Sequence, residues 1–185
     1  MLDMLKKYWT MPDVSAVATP VKKTVSQASL MALGVTFELT SLHVPEMKEE
    51  IAAWEDGRRV AIGVLPLGPF VTIAKDDNRI RYLGRGLKDP DISILFKNLD
   101  SAVLVFTGQM GAPQAVAENR VCVHGNNAKA MEVTRGMAIV QTYLFPGLIL
   151  DKTFKRPPRL SPMQLATKAK IMGLLTPALA MAAFK

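Results

Sequence analysis

The sequence predicts an α+β domain in which helices cover a five-stranded, mostly antiparallel sheet. Three observations predict it. Short segments rich in small and β-branched residues, RRVAIGVL (58–65), FVTIAK (70–75), RIRYLG (79–84) and DISILF (91–96), follow one another through tight connections. Other stretches before and after them carry apolar residues at helical spacing. Hydrophobic residues make up 49% of 185 positions and mean hydropathy is +0.17, enough for a sizeable core.

Residues 1–45 read as an N-terminal arm outside the main domain. Within them Thr19-Pro20 starts a helix expected to run to about Leu33, with Gly34 near its end. Pro45 opens a second helix in PEMKEEIAAWEDG. Glu46, Glu49 and Glu50 in its first turns suit the helix dipole, and Met47, Ile51 and Trp54 form its apolar stripe. Gly57 ends it. The strands then alternate with turns at PLGP (66–69) and Asp76-Asp77-Asn78, and with the loop GRGLKDPD. Alternation puts Ile92, Ile94 and Phe96 on one face.

Asn98 is placed to cap a helix bearing Leu99, Ala102, Val103, Phe106 and Met110. Gly111-Ala112-Pro113 opens a short helix through Glu118, and Arg120 to His124 form the fifth strand. After Gly125, Asn126 or Asn127 caps a long helix whose stripe is Ala130, Val133, Met137, Val140 and Leu144. Pro146-Gly147 stops it. The last helix starts at Ser161-Pro162-Met163-Gln164, an N-cap serine with a capping-box glutamine. Gly173 and Pro177 are expected to bend or interrupt it.

The net charge of +7 is local. Up to position 132 the chain holds 15 basic and 15 acidic residues; from 133 on it holds 8 basic residues against Asp151 alone. The C-terminal part can therefore attract anionic lipid, nucleic acid or an acidic partner. The basic residues around Phe154 sit among apolar segments rather than interleaved aromatics, which fits a membrane surface better than nucleic acid. Neither a signal peptide nor an apolar run of spanning length is read from the sequence. One cysteine, Cys122, excludes an internal disulfide framework.

The stretch TGQMGAPQAVAENRVCVHG (107–125) looks most like a site. Its glycines do not make a phosphate loop, because Ala112 and Pro113 stand where such a loop needs lysine, hydroxyl and free amides. Cys122 and His124 share a strand face, yet two ligands do not close a metal site. Cys122 between Val121 and Val123 reads as a small buried hydrophobe, His124 as a strand-end residue, and the carboxylate pairs as turn residues. No acid–base constellation emerges, so the chain is not read as an enzyme, and no cofactor is expected.

These residues carry a resemblance. DISILF followed by FKNLDSAVLVFTGQMGAPQAVAENRVCVHGNNAKAM resembles the sterol carrier protein-2 (SCP-2) lipid-binding domain family. The matching features are Thr107-Gly108-Gln109, Ala115, the segment Asn119–Gly125 and Ala130-Met131. The match spans roughly 46–150 and is specific over 91–131. Gln109 stands where the family often has lysine, and Asn119 where it often has glycine.

The resemblance implies a sheet and helices enclosing an apolar tunnel that binds fatty acid, acyl-CoA, sterol-like or isoprenoid lipid without catalysis. It divides the chain into an arm (1–45), an SCP-2-like domain (46–156) and a basic, apolar helical tail (157–185). Phe70, Ile94, Phe96, Val103, Phe106, Met110, Val116, Met131, Met137 and Val140 are the expected lipid-binding residues. Lys152, Lys155, Arg156, Arg159, Lys168 and Lys170 are expected on an anionic membrane surface. The expected setting is cytoplasmic, with peripheral membrane attachment, a homo-oligomer through the terminal helices and no nucleic acid. The alternative is an accessory or scaffold protein of a lipid or lipophilic-quinone pathway, acting through oligomerising arms. The lipid-binding reading requires a hollow between the sheet and its covering helices; composition alone permits a packed core equally.

Overall fold

The computed structural model describes residues 18–147, 150 and 160–183. Five strands form one sheet: β1 (Arg59–Val64), β2 (Phe70–Asp76), β3 (Arg79–Arg85), β4 (Ile92–Phe96) and β5 (Val121–His124), in the order β3-β2-β1-β4-β5. Three neighbouring pairs are antiparallel, as predicted, and β1 pairs with β4 in parallel. Register places Val60 opposite Ile73 and Ile92, and Ile62 opposite Val71 and Ile94. The period of two then gathers these residues with Val64, Tyr82 and Phe96 on one face, where all are buried. β1 is buried at five of its six positions, as the central strand should be.

Helix α1 (Thr19–His43) lies over that face. It packs on β2 and β3 and also touches the helices described below, burying Leu30, Leu33 and Phe37. The expected N-terminal arm is thus corrected from residue 19 on: α1 belongs to the same core as the sheet. Its apolar residues leave water against the sheet and against the neighbouring helices together. The helix also runs straight through Gly34 rather than ending there. Gly34 is needed inside it, because a Cβ there would lie 2.6 Å from the Tyr82 ring. At its C-terminal end α1 also reaches the open edge of β3. The Ile80 N–H donates to Ser41 Oγ (3.0 Å) and the Tyr82 N–H to Glu38 Oε2 (3.0 Å).

α2 (Pro45–Ala52) follows after one residue and stops short of Trp54, which is nevertheless buried. α3 (Leu99–Phe106) is capped as expected, Asn98 Oδ1 accepting from the Ser101 N–H (2.8 Å). Met110 lies beyond this helix, in the turn, and is still buried. α4 (Ala112–Ala117) leads to β5, and Asn126 caps α5 (Asn127–Leu144).

α6 (Pro162–Ala182) begins with the predicted capping box: Ser161 Oγ accepts from the Gln164 N–H, and Gln164 Oε1 accepts from the Ser161 N–H. It continues unbroken through Gly173 and Pro177, which corrects the expected interruption. Ile171, Leu175 and Ala182 are buried as α6 packs on α1 and α5, so contacts on both sides of Pro177 hold the helix to the body. Of the two terminal helices expected to reach another copy of the chain, α1 buries its main apolar face within its own chain, whereas α6 leaves Met163, Leu165, Met172, Leu174 and Met181 exposed.

A candidate ligand cleft among the helices

The expected lipid-binding residues separate into three groups. Ile94, Phe96, Val103, Phe106, Met110, Met137 and Val140 are buried in the domain interior. Val116 and Met131 are not: their exposures are 38% and 51%, although Val116 also borders the interior seam described next. Phe70 is half-buried on the opposite sheet face, paired with Gly63, and cannot share a cavity with Ile94.

Among the described residues, little free space lies directly against the core face of the sheet. Ile94, Phe96, Val116, Val121, Thr134 and Met137 enclose only about 10 Å³, at the lower limit for a single water. The reason is the packing of large side chains. The Phe96 and Phe106 rings meet edge to face with centroids 5.2 Å apart.

Room exists one layer further out. Ser29, Ala32 and Leu33 of α1, Phe106 at the end of α3, and Gln141, Leu144 and Phe145 at the end of α5 line a cleft of about 170 Å³. No strand residue and no ionisable side chain is among them. The cleft compares with a dry apolar cavity of about 150 Å³, which holds a benzene molecule. Phe106 lines the cleft and Phe96 lines the seam, and their rings touch between the two.

One polar atom of a cleft residue is anomalous. Gln141 is 2% exposed, and its Oε1 has no hydrogen-bond partner among the described residues. Sequence reasoning missed Gln141, although a signal was present: it interrupts the apolar spacing of Met137, Val140 and Leu144 on one helix face. Ser29, Ala32 and Leu33 were missed because residues 1–45 were set apart as an arm.

The other chemistry in the structure is ion pairing. A polar recess of about 270 Å³ is lined by Glu55, Asp56, Gly57, Arg58, Asp91, Ile92, Asn126 and Lys129. Its charges are largely taken: Lys129 pairs with Glu55 (2.6 Å), and Arg58, stacked 5.7 Å from the Trp54 ring centroid, pairs with Glu132 (2.6 Å). Among the described residues no three His, Cys, Asp or Glu side chains group as a metal site. Cys122 is half exposed rather than buried, because β5 is an edge strand whose outer face carries Cys122 and the exposed His124.

The stretch from 107 to 125 is turn geometry. Asn119 has φ +56°, the left-handed region, which accounts for an asparagine where the resembled family often has glycine. Gly125 has φ +104°, and a Cβ there would sit 2.5 Å from the Asp91 carbonyl oxygen.

Of the expected membrane-surface residues, Lys152, Lys155, Arg156 and Arg159 lie outside the described residues. Lys170 is exposed. Lys168 is corrected: its ammonium donates to the Thr142 and Phe145 carbonyls (2.8 and 2.6 Å), closing the C-terminal end of α5. Burial holds its pKa below the usual lysine value. Among the described residues no helix is long and apolar enough to cross a membrane.

Sheet order, helical cover and cleft together define an α+β domain with an uncharged apolar recess in its helical layer. Solved structures similar to the chain are described in the same terms as the sequence resemblance. One is a "UbiJ-SCP2 Ubiquinone synthesis protein", 13% identical, covering 64% of this chain and 97% of its own, with a TM-score of 0.44. Others are the sterol carrier protein domain 2 of Helicoverpa armigera (16% identity, 57% and 84% coverage, TM-score 0.39) and a protein of Thermus thermophilus described as "possibly sterol carrier protein" (17%, 58% and 85%, TM-score 0.39). No protein-family profile and no curated protein matches the chain.

Proposed function

We propose that the chain binds a hydrophobic, lipid-like ligand without transforming it, through the cleft between α1, α3 and α5. The observation that carries this reading is the recess itself: about 170 Å³, apolar but for Ser29 and Gln141, and free of ionisable groups. Burying an alkyl or ring segment there stabilises the complex by about 25 cal/mol per Å² of apolar surface removed from water. A longer chain extends from the half-open cleft, or enters the seam behind Phe106 once that ring turns aside. Mass spectrometry of extracts from the purified protein tests the reading. Co-purified lipid, displaced by a fluorescent fatty acid, is the expected result; absence of lipid together with no fluorescent binding rejects it.

Membrane docking is a second reading, supported by α6. Beside the exposed Lys170 this helix leaves Met163, Met172, Leu174 and Met181 in solvent, and no acidic residue occurs from 161 to 183. Sedimentation with vesicles containing anionic lipid should therefore decline with salt and with the pair Lys170→Glu, Met181→Glu. Binding unaffected by both would reject it. The same exposed side chains would serve a scaffold role by seating a partner chain, detectable as a mass increase insensitive to vesicles.

A further inference from the structure

We infer that Lys168 is a positioning residue for the cleft: from α6 it fixes the last turn of α5, and with it Leu144 and Phe145, so that the recess favours slim apolar groups over broad ones. The inference rests on the binding reading above and adds what sets the selectivity of that site.

In an α-helix the carbonyl of residue 142 accepts from the N–H of residue 146. Here that residue is Pro146, which has no N–H, so the Thr142 carbonyl is stranded. The chain also leaves the helix at Phe145, whose φ of −90° and ψ of 139° are extended. Lys168 meets both loose ends. Its ammonium donates to the Thr142 carbonyl (2.8 Å) and to the Phe145 carbonyl (2.6 Å), standing in for the backbone donor that proline removes.

The turn held in this way belongs to the cleft. Gln141, Leu144 and Phe145 line it from α5, and Ser29, Ala32 and Leu33 line it from α1. Lys168 is not among the lining residues, so it acts through the backbone of Phe145 while the Phe145 side chain borders the ligand space. α6 packs on α1 as well as on α5, so one helix holds both elements, and its seating sets how far apart they lie. Without the ammonium, the only tie printed for the Phe145 backbone is its N–H to the Gln141 carbonyl (2.9 Å). The two freed carbonyls then gain by turning to water, which frays this end. Fraying carries Leu144 and Phe145 away from α1, and the recess widens. Fit in an apolar pocket is felt strongly: one methylene changes discrimination by about 10–200-fold.

Benzene and naphthalene, titrated separately into the full chain by NMR, test this, with the Gln141 side-chain amide signal reporting binding at this cleft. In Lys168→Met, which keeps the stem and removes the ammonium, the ratio of naphthalene to benzene affinity should rise by about tenfold. In Lys168→Arg, which keeps a cation with donors for both carbonyls, the ratio should return to that of the unmodified chain. Ile80→Val, a change in the core beneath β3, should lower stability and leave the ratio as it is. An unchanged ratio in Lys168→Met, or an equal rise in Ile80→Val, overturns this inference while leaving the binding reading intact. Failure of both probes to bind the unmodified chain overturns both. Where Lys168→Met does not fold, Lys168→Gln takes its place: it keeps a donor for one carbonyl, its ratio should rise by less, and no rise overturns the inference equally.

Discussion

The Tyr82 ring rests directly on Gly34, so close that a methyl group on Gly34 would lie 2.6 Å from ring carbon Cδ2. This contact seats the longest described helix on β3. Gly34→Ala forces the ring or the helix aside and should destabilise the fold by about 1–3 kcal/mol in chemical denaturation. Gly173, also inside a helix, has nothing within 4 Å of a built Cβ. Gly173→Ala should raise stability by about 0.4–1 kcal/mol. A matching loss at both positions would contradict the packing described.

Phe106 lines the open cleft, and its ring touches Phe96 of the seam. Phe106→Ala should cost about 3–5 kcal/mol without ligand, since a large core side chain is lost. It should also join the two spaces. Preference among straight-chain alcohols should then shift toward longer members, read as a change in the chain length of tightest binding. An unchanged length preference would mean the rings do not separate the two spaces.

Lys168 ties α6 to the end of α5 through two carbonyls that helix geometry leaves without intrahelical partners. Lys168→Met keeps the stem and removes the ammonium. The expected effect is a loss of about 1–3 kcal/mol, with faster amide exchange concentrated in 162–182. Uniform acceleration across the sheet would argue against a local anchor.

His43 ends α1 in a setting hostile to its charged form: burial first, then Lys170 and Lys48, hold its pKa below the ordinary 6.5. The unfolded chain therefore binds this proton more readily. Its contribution is fully present above pH about 6.5 and is lost as pH falls through that value toward the lower folded pKa. Thermal unfolding should show stability declining from pH 7 to 5, with a shallower decline in His43→Gln. Identical slopes for the two proteins would show that His43 does not set this dependence.

Much of this architecture was legible because local signals agreed with one another. Asn98, the Ser161–Gln164 box and the alternation of Ile92, Ile94 and Phe96 each need only neighbouring residues to be read. What sequence could not show was who covers whom. Residues 19–43 carry the same apolar spacing whether they hang free or lie on a sheet, and contacts as remote as Tyr82, 48 positions from Gly34, decide between these. Phe70 went to the wrong face for a related reason: β2 begins there, and which parity points inward depends on the register with β1. The cleft itself combines segments from α1, α3 and α5, a juxtaposition that no single window of sequence contains.

The hydrogen bonds from Ile80 and Tyr82 to Ser41 and Glu38 have a consequence for assembly. They occupy outward amides on a rim that would otherwise invite a foreign strand. Helix α1 thus acts as a guard rail along this flank of the sheet. Fibre-like growth or strand exchange from β3 is blocked while the helix is seated, which leaves the short β5 flank and the outer helical surfaces as places where another molecule can join.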